Sequence, residues 1–199
     1  MIAYDASILD VGCGSGAIDR LLAQRFGDAN PLTAVDLNPF LLREAAALAT
    51  EDGIAGRITF REGNAEHLPF RDASFDHACS VTVLEECDAD LALRELWRVV
   101  KPGGRVGVIV RAIDLPQIWN VDIPETIRGK IAIPAQLVGA RGVADSSLYR
   151  RMGAAGFEAL TCFPALVTVD QPDGPTWQNR EGRVFSQLTA EETTVWRNA

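Results

Sequence analysis

The sequence predicts a doubly wound α/β fold built on a mostly parallel sheet. Three observations carry that expectation. A short apolar run, Ile8-Leu9-Asp10-Val11, ends in a loop with glycine at positions 12, 14 and 16 and leads into a helical pattern. Short apolar or alternating runs then recur, with helical stretches between them, to about residue 110. That is how parallel strands with crossover helices read in one dimension. The connections are short, and no internal repeat or low-complexity tract interrupts the alternation.

The first strand is the run ending at Val11. Glycines at 12, 14 and 16 let the backbone turn sharply and let a ligand lie directly on it, since a side chain would obstruct the approach. Ile18, Leu21, Leu22 and Phe26 have helical spacing and predict an amphipathic first helix. Leu32-Thr33-Ala34-Val35-Asp36 reads as the second strand. It ends in an acid about twenty residues past the last glycine, the spacing at which a nucleotide-binding α/β unit sets a carboxylate on ribose hydroxyls. Asn38-Pro39 opens a helix through Phe40, Leu41 and Leu48, with Pro39 suited to the first turn; Asp52-Gly53 and Gly56 stop it.

Arg57-Ile58-Thr59-Phe60-Arg61 alternates as a third strand, residues 63–70 are a loop, and Ser74-Phe75-Asp76 leads into a fourth strand through about Val81. Leu93, Leu96, Trp97 and Val100 mark a helix over 88–100 that packs on the sheet, with Trp97 in the core. Pro102-Gly103-Gly104 is a turn and 105–110 the fifth strand. Residues 112–144 break the rhythm with three prolines and isolated apolar residues. They read as an insertion of short helices over the sheet's C-terminal edge, where binding loops collect, and Trp119 is a candidate pocket residue. A helix over 146–155 closed by Gly156, a long strand over 157–169 and a polar stretch over 171–182 follow. Thr189-Ala190-Glu191-Glu192 then opens a last helix with an N-cap and an acid three residues on. Residues 1–199 read as a single domain with that insertion.

A hydrophobic content of 47% over 199 residues is enough for a sizeable core. The net charge of -8 argues against a nucleic-acid backbone or an anionic membrane as partner. The four cysteines, Cys13, Cys79, Cys87 and Cys162, form no C-x-x-C pair. They read as small buried residues of a reducing cytoplasm, with neither metal nor disulfide expected. There is no basic segment followed by a short apolar region at the N-terminus and no apolar run long enough to span a bilayer, so a soluble cytoplasmic protein is expected.

Taken together and in order, LDVGCGSG (9–16), VDLNP (35–39), GNAEHLPF (63–70), SFDHACSVTVLEE (74–86) and RELWRVVKPGGRV (94–106) resemble the class I S-adenosylmethionine-dependent methyltransferases. Within that family the look is that of the ubiquinone/menaquinone-biosynthesis C-methyltransferases. LYRRM (148–152) through Gly156-Phe157 also matches the family's helix before its sixth strand, so the similarity runs over about residues 7–170. It implies a Rossmann-like class I methyltransferase fold, S-adenosyl-L-methionine as cofactor and a small-molecule methyl acceptor.

The resemblance also implies the contacts. Gly12, Cys13, Gly14 and Gly16 would line the methionine half, with Asp10 receiving its ammonium group directly or through water. Asp36 would take both ribose hydroxyls, Leu37 and Asn38 would flank the adenine, and Asn64, Ala65 and Glu66 would meet its edge. Ser80 and Val81 would sit near the sulfonium end. Relatives of full length carry helices before the first strand and a seventh, antiparallel strand. Neither is visible here. The alternative expectation is therefore a truncated cofactor-binding domain with little or no activity alone, or one completed by a dimer partner or another chain.

Methyl transfer by in-line displacement needs alignment and exclusion of water, so no catalytic triad is expected. A phenol or activated ring carbon as acceptor would also need a group to take its proton. Glu85, Glu86 and Asp114 are the candidates, although both glutamates equally suit a solvated helix start. His67 reads as a solvated loop residue and His77 as a packed or hydrogen-bonded strand residue. The cysteine spacing does not match an arsenite methyltransferase. No Asn/Asp-Pro-Pro-aromatic motif follows the fourth strand, which disfavours amino methylation of nucleobases or glutamine. The rival class, a nicotinamide-dependent dehydrogenase, shares the glycine loop and the acid after the second strand. Ala17 stands where spacing would favour it less, leaving Gly-x-Gly-x-Gly without Gly-x-Gly-x-x-Gly, and Asp10 precedes the loop by two positions.

Overall fold

The computed structural model describes residues 5–115, 122–132, 138–165 and 181–198. Its sheet has five strands: β1 (Ile8–Val11), β2 (Leu32–Asp36), β3 (Ile58–Glu62), β4 (Phe75–Val81) and β5 (Val100–Ile109), in the order β3-β2-β1-β4-β5. Every pairing is parallel. The chain steps outward from β1 to β3 and then returns to the other side of β1, so the order reverses between β1 and β4. In such sheets that switch point, at the carboxyl ends of the strands, is where ligands bind.

Alternation along β1 sends Leu9 and Val11 into the apolar cluster shared with β4 and the helix that follows it, and Ile8 into a second cluster. The helices on the Ile8 side are α1 (Ala17–Phe26) and α2 (Pro39–Glu51). α1 departs from its apolar spacing. Leu21 is 63% exposed and Ile18 lies on the surface, whereas Asp19 and Ala23, four residues apart, form the buried face. α2 is capped by the Asn38 side chain, which accepts from the Phe40 amide at 2.9 Å, and it buries Ala45 and Ala49 rather than its larger apolar residues.

On the other side, α3 (Ala89–Val99) is capped by Asp88, whose carboxylate accepts from the Asp90 and Leu91 amides at 3.1 Å each. Its buried stripe is Ala89, Ala92, Leu93, Leu96 and Val99. Trp97 falls beside that stripe and is 53% exposed, so the core position expected for it is corrected. Its indole nitrogen donates to the Gly156 carbonyl at 3.1 Å, tying α3 to the turn after α5 (Ser147–Ala154). The proline-glycine turn before the fifth strand is an excursion within it: Phe75 pairs with Val100, and two residues on, His77 pairs with Arg105. His77 Nδ1 accepts from the Arg105 amide at 3.2 Å.

The chain divides into two compact units. The first holds the sheet with residues up to Arg111 and 138–160; the described parts of 112–137 and 161–199 make the second. Residues 138–143, read from sequence as part of the insertion, are fastened to the loop after β4 by Gly139 N to Glu85 O at 2.7 Å and Val143 N to Leu84 O at 2.8 Å. The second unit contains α4 (Glu125–Ile131), a helical stretch at 181–185 and α6 (Ala190–Arg197) around Ile123, Ile127, Ile131, Val184 and Trp196. The reciprocal cap read from sequence is present: Thr189 Oγ1 accepts from the Glu192 amide and Glu192 Oε2 from the Thr189 amide.

A strand over 157–169 does not form across its described part: residues 157–165 are irregular, and Ala159 has φ +50°, incompatible with an extended run. Residues 166–169, the polar stretch through 180 and Trp119 lie outside the described residues. No described helix is long and apolar enough to cross a membrane.

Candidate functional site

The turn after β1 is held from behind. Gly12 and Cys13 both donate their amides to the Val35 carbonyl, at 2.8 and 2.9 Å, and Gly16 donates to the Cys13 carbonyl at 2.9 Å. Gly12 has φ +79°, and a Cβ there would overlap the Val83 side chain, which follows β4 and covers the turn. Gly14, at φ +55°, has nothing within 4 Å of where a Cβ would stand. The turn is thus packed tight at Gly12 and open at Gly14, which is the geometry that leaves a face for a ligand.

Asp36, ending β2, joins this turn. Its Oδ2 accepts from the Gly14 amide at 2.8 Å and its Oδ1 from the Asn38 amide at 2.8 Å. A carboxylate offers about four acceptor positions, so about two remain for hydroxyl donors. Leu37, beside it, is exposed, while the Asn38 side chain is occupied by its helix cap.

The third wall is the 63–70 loop. Asn64 Oδ1 accepts from the Glu66 amide at 2.9 Å, the His67 amide donates to the Asn64 carbonyl at 3.0 Å, and His67 itself is exposed. Ala65 packs on the core, whereas the Glu66 carboxylate turns toward α3 and accepts from the Asp88 amide at 2.8 Å. Two residues to which sequence reasoning gave no role hold this loop. Glu95 Oε2 accepts from the Leu68 amide at 2.7 Å. The Arg98 guanidinium donates to the Phe70 carbonyl at 2.8 Å, the Leu68 carbonyl at 3.2 Å and Asp72 at 2.8 Å while pairing in a fork with Glu95. Arg98 holds the Glu95 carboxyl below its ordinary range, against the opposing effect of burial.

The family model described as a methyltransferase domain matches residues 9–108, which takes in the turn, Asp36, the loop and its clamp. The chain belongs to the class I, S-adenosylmethionine-dependent methyltransferase-domain family. Among its relatives, the ubiquinone/menaquinone biosynthesis C-methyltransferase UbiE of Legionella pneumophila (strain Paris) is 36% identical over 105 residues, covering 52% of this chain and 42% of the relative. The protein of the same name from Hahella chejuensis is 32% identical over 146 residues, covering 73% and 57%. The chain therefore spans about half the length of the curated relatives it matches. Among solved structures, the [4+2]-cyclase SpnF superposes with a TM-score of 0.60 at 28% identity, over 80% of this chain and 54% of that one. A SAM-dependent methyltransferase from Methanosarcina mazei superposes with a TM-score of 0.51 at 30% identity, over 57% and 56%.

Beneath the turn, the methyltransferase domain carries acids that are sealed from solvent. Asp10 is 2% exposed and accepts from the Cys79 thiol at 3.3 Å. Burial raises its proton affinity. Asp19 on α1 faces it, fully buried, with its carboxyl against that of Asp10 and no other hydrogen-bonding partner for either oxygen among the described residues. Burial, and then the Asp10 charge, push Asp19 up to about 8. Asp19 was missed because the apolar residues around it dominated the helical reading; its i, i+4 pairing with Ala23 was the available signal. Burial beside these acids likewise pushes the Cys13 thiol up, so it stays protonated. Ser80 is fully buried with its hydroxyl committed to the Val11 carbonyl at 2.9 Å, fixing β4 to β1, and Val81 is half-buried at the strand end.

The three candidate proton acceptors have different environments. Glu85 is fully buried: its Oε1 accepts from the Arg111 amide at 2.9 Å and Arg111 Nε at 3.3 Å, and its Oε2 has no partner among the described residues. Glu86 is exposed in the same loop. Asp114 is exposed and belongs to the second unit.

Proposed function

We propose that the chain binds S-adenosyl-L-methionine at the carboxyl ends of β1 and β2 and transfers its methyl group to a small-molecule acceptor, at carbon or oxygen. The observation that carries this reading is Asp36, tied by two backbone amides between the glycine turn and α2 with acceptor capacity to spare. When bound, S-adenosylmethionine supplies a methyl group on a positively charged sulfur, activated for in-line displacement.

In this reading Asp36 accepts both ribose hydroxyls, and Gly14 leaves the turn open for the methionine half, while Gly16 lets the turn pack closely on Ala45 and Phe60. Leu37 and Asn38 flank the adenine, and Asn64 and Ala65 meet its edge. Glu66 acts there mainly by fixing the loop to α3, since its carboxylate already accepts from Asp88. Asp10 lies too deep for broad contact and stabilises the ammonium group from below the turn. Val81 borders the reacting end, and Ser80 keeps it in place through β1. If the acceptor gives up a proton, Glu86, exposed in the loop after β4, is the preferred acceptor, because Glu85 is sealed from solvent and tied to Arg111.

A second reading is a cofactor-binding domain that transfers no methyl group alone and acts with a second copy or a completing chain. It is favoured by the similarity to a protein named as a [4+2]-cyclase. The acid-rich composition argues against nucleic acid as acceptor, and the cytoplasm is the proposed place of action. Incubation with methyl-labelled cofactor and a panel of phenols, quinols and small carboxylic acids separates the readings. Label transfer to an acceptor supports the first, and cofactor binding without transfer to any of them supports the second.

A further inference from the structure

Among the described residues, no cation faces the buried carboxyls below the glycine turn. β1 alternation places Asp10 on the α1 side of the sheet, and α1 turns Asp19 inward against it, with no hydrogen-bonding partner other than Asp10 for either oxygen among the described residues. The titratable groups facing this pair are Cys79 from β4, Cys13 from the turn and Asp36 from the end of β2. All are acids or thiols. Two carboxylates buried together without a cation repel each other and lose hydration, so one of them retains a proton. The position of that proton is consistent with the high proton affinity of Asp19.

We infer that Asp10 and Asp19 form a proton-sharing receptor for a cationic amine, in which Asp19 gives up its proton when the ammonium group of the cofactor arrives above Asp10. This rests on the cofactor reading above and adds a proton to its stoichiometry. In the step the Asp19 O–H bond breaks and the proton leaves to solvent. The amine keeps its own protons, and its charge replaces the one lost. Asp19 acts through Asp10 and is a positioning residue.

Titration calorimetry of the full chain with S-adenosylhomocysteine, in buffers of differing ionisation enthalpy at pH 7, reads the proton directly. The expected result is release of close to one proton per molecule bound. Affinity should also rise with pH by up to about tenfold per unit as pH approaches 8. Asp19→Asn is expected to bind with release near zero and with a flat pH profile. Buffer-independent heat in the unsubstituted chain overturns the inference whether or not the variant folds, as does release by Asp19→Asn equal to that of the parent. Absence of any binding by the unsubstituted chain overturns the cofactor reading itself, and this inference with it.

Discussion

The Gly14 amide and the Asp36 carboxylate meet at 2.8 Å, so the turn after β1 and the end of β2 are one hydrogen-bonded unit. This bond and the one from the Asn38 amide orient the acid with no side-chain partner among the described residues. Replacing Asp36 by Asn puts a donor or a weaker acceptor where the amides of Gly14 and Asn38 both require an anion. Hydrogen bonds to a charged group contribute about 1.5–3 kcal/mol, so Asp36→Asn should weaken cofactor binding about tenfold to a hundredfold by calorimetry.

Gly12 and Val83 are coupled sterically. Gly12→Ala must adopt φ +79° and drive its methyl into Val83, for a loss of about 2–4 kcal/mol of stability in urea unfolding. The strain has two parts, and only the overlap is relieved by trimming the partner. A double-mutant cycle with Val83→Ala should therefore give a favourable coupling of about 1 kcal/mol or more. Strict additivity would contradict the packing described here.

Arg98 acts on the site from a distance through the backbone of residues 68–70. Removing its fork leaves the Leu68 and Phe70 carbonyls and Glu95 without their cation. Arg98→Met should lower stability by about 2 kcal/mol and raise the cofactor dissociation constant several-fold, although the residue touches no ligand in this account. Arg98→Lys should rescue little, because a single ammonium cannot serve the divergent acceptors.

Much of the fold was legible because strand alternation and glycine turns are local properties. β1 through β5, the Thr189 cap and the Asp36 position all follow from short stretches of chain. Burial set by distant partners was not legible. Asp19 is inward because α1 lies over the face of β1 that also carries Asp10, and Trp97 is outward because Leu93 and Leu96 already fill the α3 stripe. Ser80 reads as a strand-end ligand contact until β1 is seen to take its hydroxyl. Glu85 was read as solvated or substrate-facing, and it is buried by Arg111 and the returning 138–143 segment. Residues 157–165 have strand-like composition, but the left-handed Ala159 ends any extension.

Asp76 gives a pH-dependent signature away from the ligand. Lys101, then the Ser7 hydroxyl and amide, hold its carboxyl far below the ordinary carboxylate range. Between that depressed folded value and the unfolded value of about 4, the unfolded chain binds more protons, so stability falls as pH drops through this window. Asp76→Asn should be less stable than the parent at pH 7, with the difference narrowing progressively below about pH 4 in unfolding titrations.

The central claim is that the turn and Asp36 bind S-adenosylmethionine. Titrating the purified chain separately with S-adenosylhomocysteine and with NAD tests it most directly. The account predicts saturable one-to-one binding of S-adenosylhomocysteine, weakened at least tenfold by Asp36→Asn, and no comparable binding of NAD. Tight NAD binding with no response to S-adenosylhomocysteine would contradict it.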